Sequence, residues 1–174
     1  MATIRWLAGF AGLALLVGCG HGPASTTIVV SAEPAQLIPP SNPNDAQAWN
    51  RFLSKAIVDV THDAKLHPYS FVVPEGEAAD ATERRKSEAT AIRSMLGHTA
   101  VPGNLIALSG PDSTKVAEVV TQAFQGLPAH TAQGLTVLFV GVPAAAESAK
   151  KTVSVTGAEL HVRAMRALGA LPSS

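Results

Sequence analysis

The run Ser109-Gly110-Pro111-Asp112-Ser113-Thr114 gathers hydroxyls, a carboxylate and a glycine in six residues. It falls where an apolar strand pattern, Leu105–Leu108, gives way to a helical one. The free amides and the dipole of a helix N-terminus attract negative charge. Ligands of open α/β sheets sit at the carboxyl ends of strands. Ser109, Gly110, Asp112 and Ser113 are therefore candidate anion-binding residues. The loop has one glycine and matches neither GxGxxG nor the phosphate-loop GK[ST] pattern. Without a ligand, the same residues make a strand-to-helix turn, with Pro111 near the first helical position and Asp112 or a serine as cap.

Other chemistry-bearing residues form looser sets. His62, Asp63 and His67 suggest metal ligands, but the two histidines are separated by about 500° of helical rotation and share no face. His98, His130 and His161 stand alone, and HExxH and paired cysteines are both missing. No GxSxG elbow marks a nucleophile. Glu75, Glu77 and Asp80 could supply a carboxylate pair, or simply favour the start of the helix that follows them. Arg84, Arg85, Lys86 and Arg93 place basic groups on that helix. Asp80–Arg84 and Arg84–Glu88 are opposite charges at i, i+4. The set reads as a solvated face or as a docking surface for an acidic partner. No catalytic residue, metal ligand or cofactor is assigned.

Cys19 is the only cysteine. It closes the run Leu16-Val17-Gly18-Cys19 after an uncharged stretch, Trp6–Val17, preceded by Arg5. A charged start, a short apolar stretch and small residues before the end are the parts of a secretory signal. The stretch is short for a bilayer span, which takes about 20 residues. The four residues resemble the lipobox of bacterial lipoproteins. That resemblance implies cleavage before Cys19, a diacylglyceryl thioether on its sulfur and an acylated amine. Gly20 stands where lipoproteins kept in the inner membrane often carry Asp, so the resemblance favours the outer membrane, facing the periplasm. A disulfide-stabilised secreted domain would use cysteines in pairs.

Cleavage removes Arg5 and leaves 12 basic against 13 acidic residues. That balance, with aromatic residues at 5% of the chain, argues against a nucleic-acid surface.

The elements that must position these residues follow from periodicity. Residues 1–18 are the signal and 19–44 a lipidated, Pro-rich tether. At about 3.1 Å per residue, the tether reaches up to roughly 75 Å. Inside it, the β-branched run Thr26–Val30 suggests an edge strand. The domain occupies 45–174. Trp49, Phe52, Leu53, Ala56, Ile57 and Val60 recur at helical spacing over Asp45–Ala64, with Asn42 or Asn44 as N-cap. A strand over Tyr69–Val73 follows, then a helix over Ala78–Leu96 closed by Gly97. The Leu105–Leu108 strand and a helix striped by Val116, Val119, Val120, Ala123 and Phe124 come next. Leu135–Val140 is the most apolar strand and the expected centre of the sheet. A short helix over 144–151, a strand over 159–163 and a frayed tail from Leu168 complete the chain. Strands alternating with helices predict a small α/β domain, with a four- or five-stranded, partly parallel sheet and three to four helices.

Together these features predict a non-enzymatic, outer-membrane-anchored lipoprotein that binds an envelope protein, as a component of a secretion, conjugation or pilus system. The alternatives are a periplasmic inhibitor or immunity lipoprotein using the loops Thr99–Asn104 or Pro128–Gly134, and an envelope enzyme using Ser109, Asp112 or a histidine.

Overall fold

The structure, a computed structural model, describes residues 36–61, 66–99 and 102–169. The signal peptide, Cys19, the Thr26–Val30 run, His62 and Asp63 lie outside the described residues. Among the described residues, four helices and four strands alternate: α1 (Ala46–Thr61), β1 (His67–Val72), α2 (Ala79–Thr99), β2 (Asn104–Ser109), α3 (Ser113–Phe124), β3 (Thr136–Gly141), α4 (Pro143–Val155) and β4 (Glu159–Ala164). The strands lie in chain order, and each neighbouring pair is parallel. The sheet is thus parallel throughout, beyond the partial parallelism expected.

The strand order never reverses, so right-handed crossovers put every connecting helix on one face. There α2, α3 and α4 cover Ile106, Leu108, Val137 and Phe139. α1 precedes the first strand and covers the opposite face, where Trp49, Leu53, Ala56 and Ile57 pack on Leu105, Ala107, Leu138 and Val140. Alternate residues of β2 and β3 therefore feed two cores, as expected for strands buried on both sides. β3 is interior, as its composition predicts. β1 begins with four exposed residues and contains Pro68, which fits a strand at the sheet edge.

Three local expectations are corrected. Asp45, not Asn42 or Asn44, caps α1, its carboxylate accepting from the Ala48 amide at 2.9 Å. Asn42 instead offers its carbonyl to the indole N–H of Trp49 at 3.3 Å. Gly97 does not end α2, which runs on to Thr99. A C-terminal glycine stops a helix by taking positive φ, and Gly97 is not among the positive-φ residues. Leu168 is not frayed; it is half-buried and packs against the α1-side core.

The ordered domain also starts earlier than residue 45. Leu37 makes a parallel bridge to Met165 at the end of β4. From there the chain crosses the carboxyl edge of the sheet to Pro43 and Asn44, which lie beside the end of β1.

Candidate functional site

The carboxyl ends of the strands carry the candidate loop and two clefts. One cleft, about 590 Å³, lies between the N-termini of α3 and α4 and the segment after β4. Asp112, Ser113, Thr114, Ala144, Ser148 and Leu168 are among its walls. The other, about 270 Å³, lies between the N-termini of α1 and α2, with Glu75, Asp80 and Arg84 on its rim. Pro111 borders both.

The side chains of Ser109, Asp112 and Ser113 each have a partner inside the fold. Ser109 is fully buried, and its hydroxyl donates to the Val140 carbonyl on the neighbouring strand at 3.0 Å. The Val73 amide donates to the Ser109 carbonyl at 2.8 Å. That contact draws the chain leaving β1 against Gly110, where a Cβ would stand 2.3 Å from the Val73 carbonyl oxygen. Only glycine fits there. Asp112 is the N-cap of α3 and accepts from the amides of Thr114 at 2.8 Å and Lys115 at 3.4 Å. Its carboxylate fills the position that an external anion would take. The Ser113 hydroxyl accepts from the Val142 amide at 2.9 Å and so joins the starts of α3 and α4. Gly141 makes room for this contact, since a Cβ there would meet the Phe139 ring at 2.6 Å and Ser113 Oγ at 2.9 Å. The strand-to-helix turn read from the sequence accounts for all four residues. Of the four, Asp112 and Ser113 line the larger of these two clefts.

The basic residues of α2 do not form one face. Arg84, Arg85 and Lys86 are consecutive and fan out at about 100° intervals around the helix. Arg84 lies on the rim of the smaller carboxyl-edge cleft. Arg85 is buried. Its guanidinium donates to the carbonyls of Pro74 at 3.1 Å and Gly76 at 2.7 Å and to the Thr82 hydroxyl at 3.2 Å. It pins the turn between β1 and α2. Arg93 reaches across to the end of α3 and donates to the carbonyls of Gln122 at 3.3 Å and Gln125 at 2.7 Å. Such a cation completes a helix C-terminus whose last carbonyls lack intrahelical donors. Lys86 is exposed and pairs with Glu83 at 2.9 Å. The four thus divide: Arg84, Lys86 and Arg93 are exposed, Arg93 while bonded to the end of α3, and Arg85 is buried.

The acidic set divides as well. Glu77 bonds Lys115 at 2.6 Å and lies 3.8 Å from Arg85. The hydrogen bond and charge of Lys115 hold the Glu77 carboxyl below its ordinary range. Glu77, then Glu118, hold the Lys115 ammonium above its own. Glu88 was missed in the sequence because its i, i+4 spacing from Arg84 suggests a solvated pair. It sits on the flank of the buried stripe of α2, with Oε2 buried and unbonded. Burial pushes its carboxyl up to about 7, against the pull of Arg84 and Arg85.

Among the described residues, no three His, Cys, Asp or Glu side chains could hold a metal ion together, and no helix is long and apolar enough to cross a membrane. His161 lies 3.4 Å from Glu159 on β4. The loop Pro128–Gly134 is largely exposed but anchored at Ala132. Ala132 is fully buried, and its amide donates to the Thr156 carbonyl at 2.9 Å. Asn104, the end of the other expected loop, is a buried residue of β2. No known family, curated protein or solved structure matches the chain.

Proposed function

We propose that this protein is a lipoprotein held in the outer membrane through Cys19, and that its α/β domain acts by contact with a protein of the envelope. The observation that carries the reading is the lipobox-like run Leu16-Val17-Gly18-Cys19, with the chain's single cysteine at its end. An unpaired thiol in an oxidising compartment is a liability unless it is capped, and lipidation caps it. Several acyl chains hold far better than one, at roughly 0.8 kcal/mol per buried CH₂.

The chemistry of the carboxyl edge supports contact over catalysis. The hydroxyls of Ser109 and Ser113 and the Asp112 carboxylate are engaged with the fold itself. A tethered domain also gains effective concentration for a partner in the same envelope, which raises binding without new contacts. The exposed cations Arg84 and Lys86 supply charge for an acidic partner.

The test is cross-linking in intact envelopes. A photoreactive residue at Ser87, exposed on α2 three residues after Arg84 and one after Lys86, should give a discrete adduct in cells carrying the wild-type chain. The double charge reversal R84E/K86E should abolish the adduct while the circular dichroism spectrum stays unchanged. An adduct that survives charge reversal excludes this surface, and a turnover activity in the purified chain would overturn the contact reading.

A further inference from the structure

The helices before and after β1 lie on opposite faces of the sheet. α1 packs on one core and α2 on the other. The consecutive residues Val72 and Val73, where β1 ends, join those two cores in turn. Helices that part to opposite faces leave a crevice outside the carboxyl ends of the strands, which is where open α/β sheets take their ligands. In this chain that crevice is the cleft of about 270 Å³ between the N-termini of α1 and α2.

Its walls and its rim differ in chemistry. Val72, Pro74, Ala81 and Pro111 supply apolar wall. Glu75, Asp80 and Arg84 stand on the rim, Glu75 half-buried and the other two exposed. Asp80 and Arg84 are four residues apart on α2, a spacing at which opposite charges can pair. Among the described residues, however, neither acid makes a salt bridge to Arg84. Two carboxylates and one guanidinium thus share one small opening without closing on each other.

Size and charge together select the ligand. Drug-sized ligands take pockets of about 300–1,000 Å³, so this cleft holds something smaller. A lone anion would face Glu75 and Asp80, and a lone cation would face Arg84, and like charges brought together in a contact repel. A molecule that carries both charges on neighbouring groups, beside an apolar side chain, matches rim and wall at once.

We propose that the cleft binds a free α-amino acid with a short apolar side chain. Its ammonium lies toward Glu75 and Asp80, its carboxylate on Arg84 and its side chain against Val72 and Pro111. A residue within a peptide carries neither charge, and a chain terminus carries one, so the site selects the free amino acid over both. This activity goes beyond contact with an envelope protein, and it holds whether or not Cys19 is lipidated.

Titration of the isotope-labelled full chain in detergent with L-leucine, followed by NMR, tests the site. The amides of Ala78 and Ala81, on the cleft wall, should shift saturably with a Kd of about 1 mM or below. N-acetylleucine lacks the ammonium and leucinamide lacks the carboxylate. Each should bind about tenfold more weakly, because a charge-assisted bond is lost. Arg84→Gln and Asp80→Asn, both at exposed positions, should weaken leucine binding about fivefold or more. Lys150→Gln, which removes an exposed cation of α4, should leave it within about twofold. Either blocked derivative binding as tightly as leucine would overturn the zwitterion assignment. Shifts unchanged by Arg84→Gln and Asp80→Asn would overturn the placement. No saturable shift up to about 20 mM leucine would overturn the site altogether.

Discussion

Glu88→Gln should stabilise the protein, and the gain should depend on pH. In the folded chain, burial raises the Glu88 carboxyl to about 7 from an ordinary 4.5. A carboxyl whose folded pKa exceeds its unfolded one favours the fold only while protonated. Its contribution is fully present below about 4.5, is lost as pH rises toward 7, and stays lost above that. The gap between the two values sets a ceiling of about 3 kcal/mol. Because the side chain is only half-buried, solvent screening reduces this to about 1–2 kcal/mol. Glutamine keeps the shape and never ionises. Thermal unfolding followed by circular dichroism should therefore find variant and wild type alike near pH 4.5. At pH 8 the variant should unfold about 4–8 °C higher. A difference that is the same at both pH values, or a variant less stable at pH 8, would refute the argument that burial governs this carboxylate.

The packing sets the outcome of substitutions at three further positions. Arg85→Ala should cost about 2–3 kcal/mol in urea denaturation, because it leaves the carbonyls of Pro74 and Gly76 without their donor. Arg85→Lys should not restore the loss, since an ammonium lacks the guanidinium fork. Gly110→Ala should lower stability by about 3 kcal/mol or prevent folding, judged by soluble yield and circular dichroism, because its Cβ would collide with the Val73 carbonyl. Trp49→Ala should cost about 3–5 kcal/mol in the same denaturation assay, the ring being fully buried at the centre of the α1-side core.

Much of the fold was legible in the sequence because its signals are local. The apolar stripe of α1, the continuous apolar runs of β2 and β3 and the turn residues around 109–113 each depend on near neighbours. What was misread depends on residues far apart in the chain. Arg85 looks like a surface charge until the turn at Pro74–Gly76 is brought beside it, and the bonds of the exposed Arg93 need the end of α3. The embedding of Ser113 needs Val142, from the next strand-to-helix turn. Leu37 sits in a proline-rich stretch whose composition reads as linker, and only the β4 edge makes it part of the sheet. At the 109–113 loop, the cap and the anion site have the same composition. The two hydrogen bonds accepted by Asp112 separate them.

The central claim, that Cys19 holds the protein in the membrane by a lipid, is tested most directly by metabolic labelling with palmitate and fractionation of cells expressing the wild type or Cys19→Ser. The wild type should take up label and sediment with outer membranes, and the variant should lose both properties. A Cys19→Ser chain that still carries label and still sediments with membranes would contradict the account.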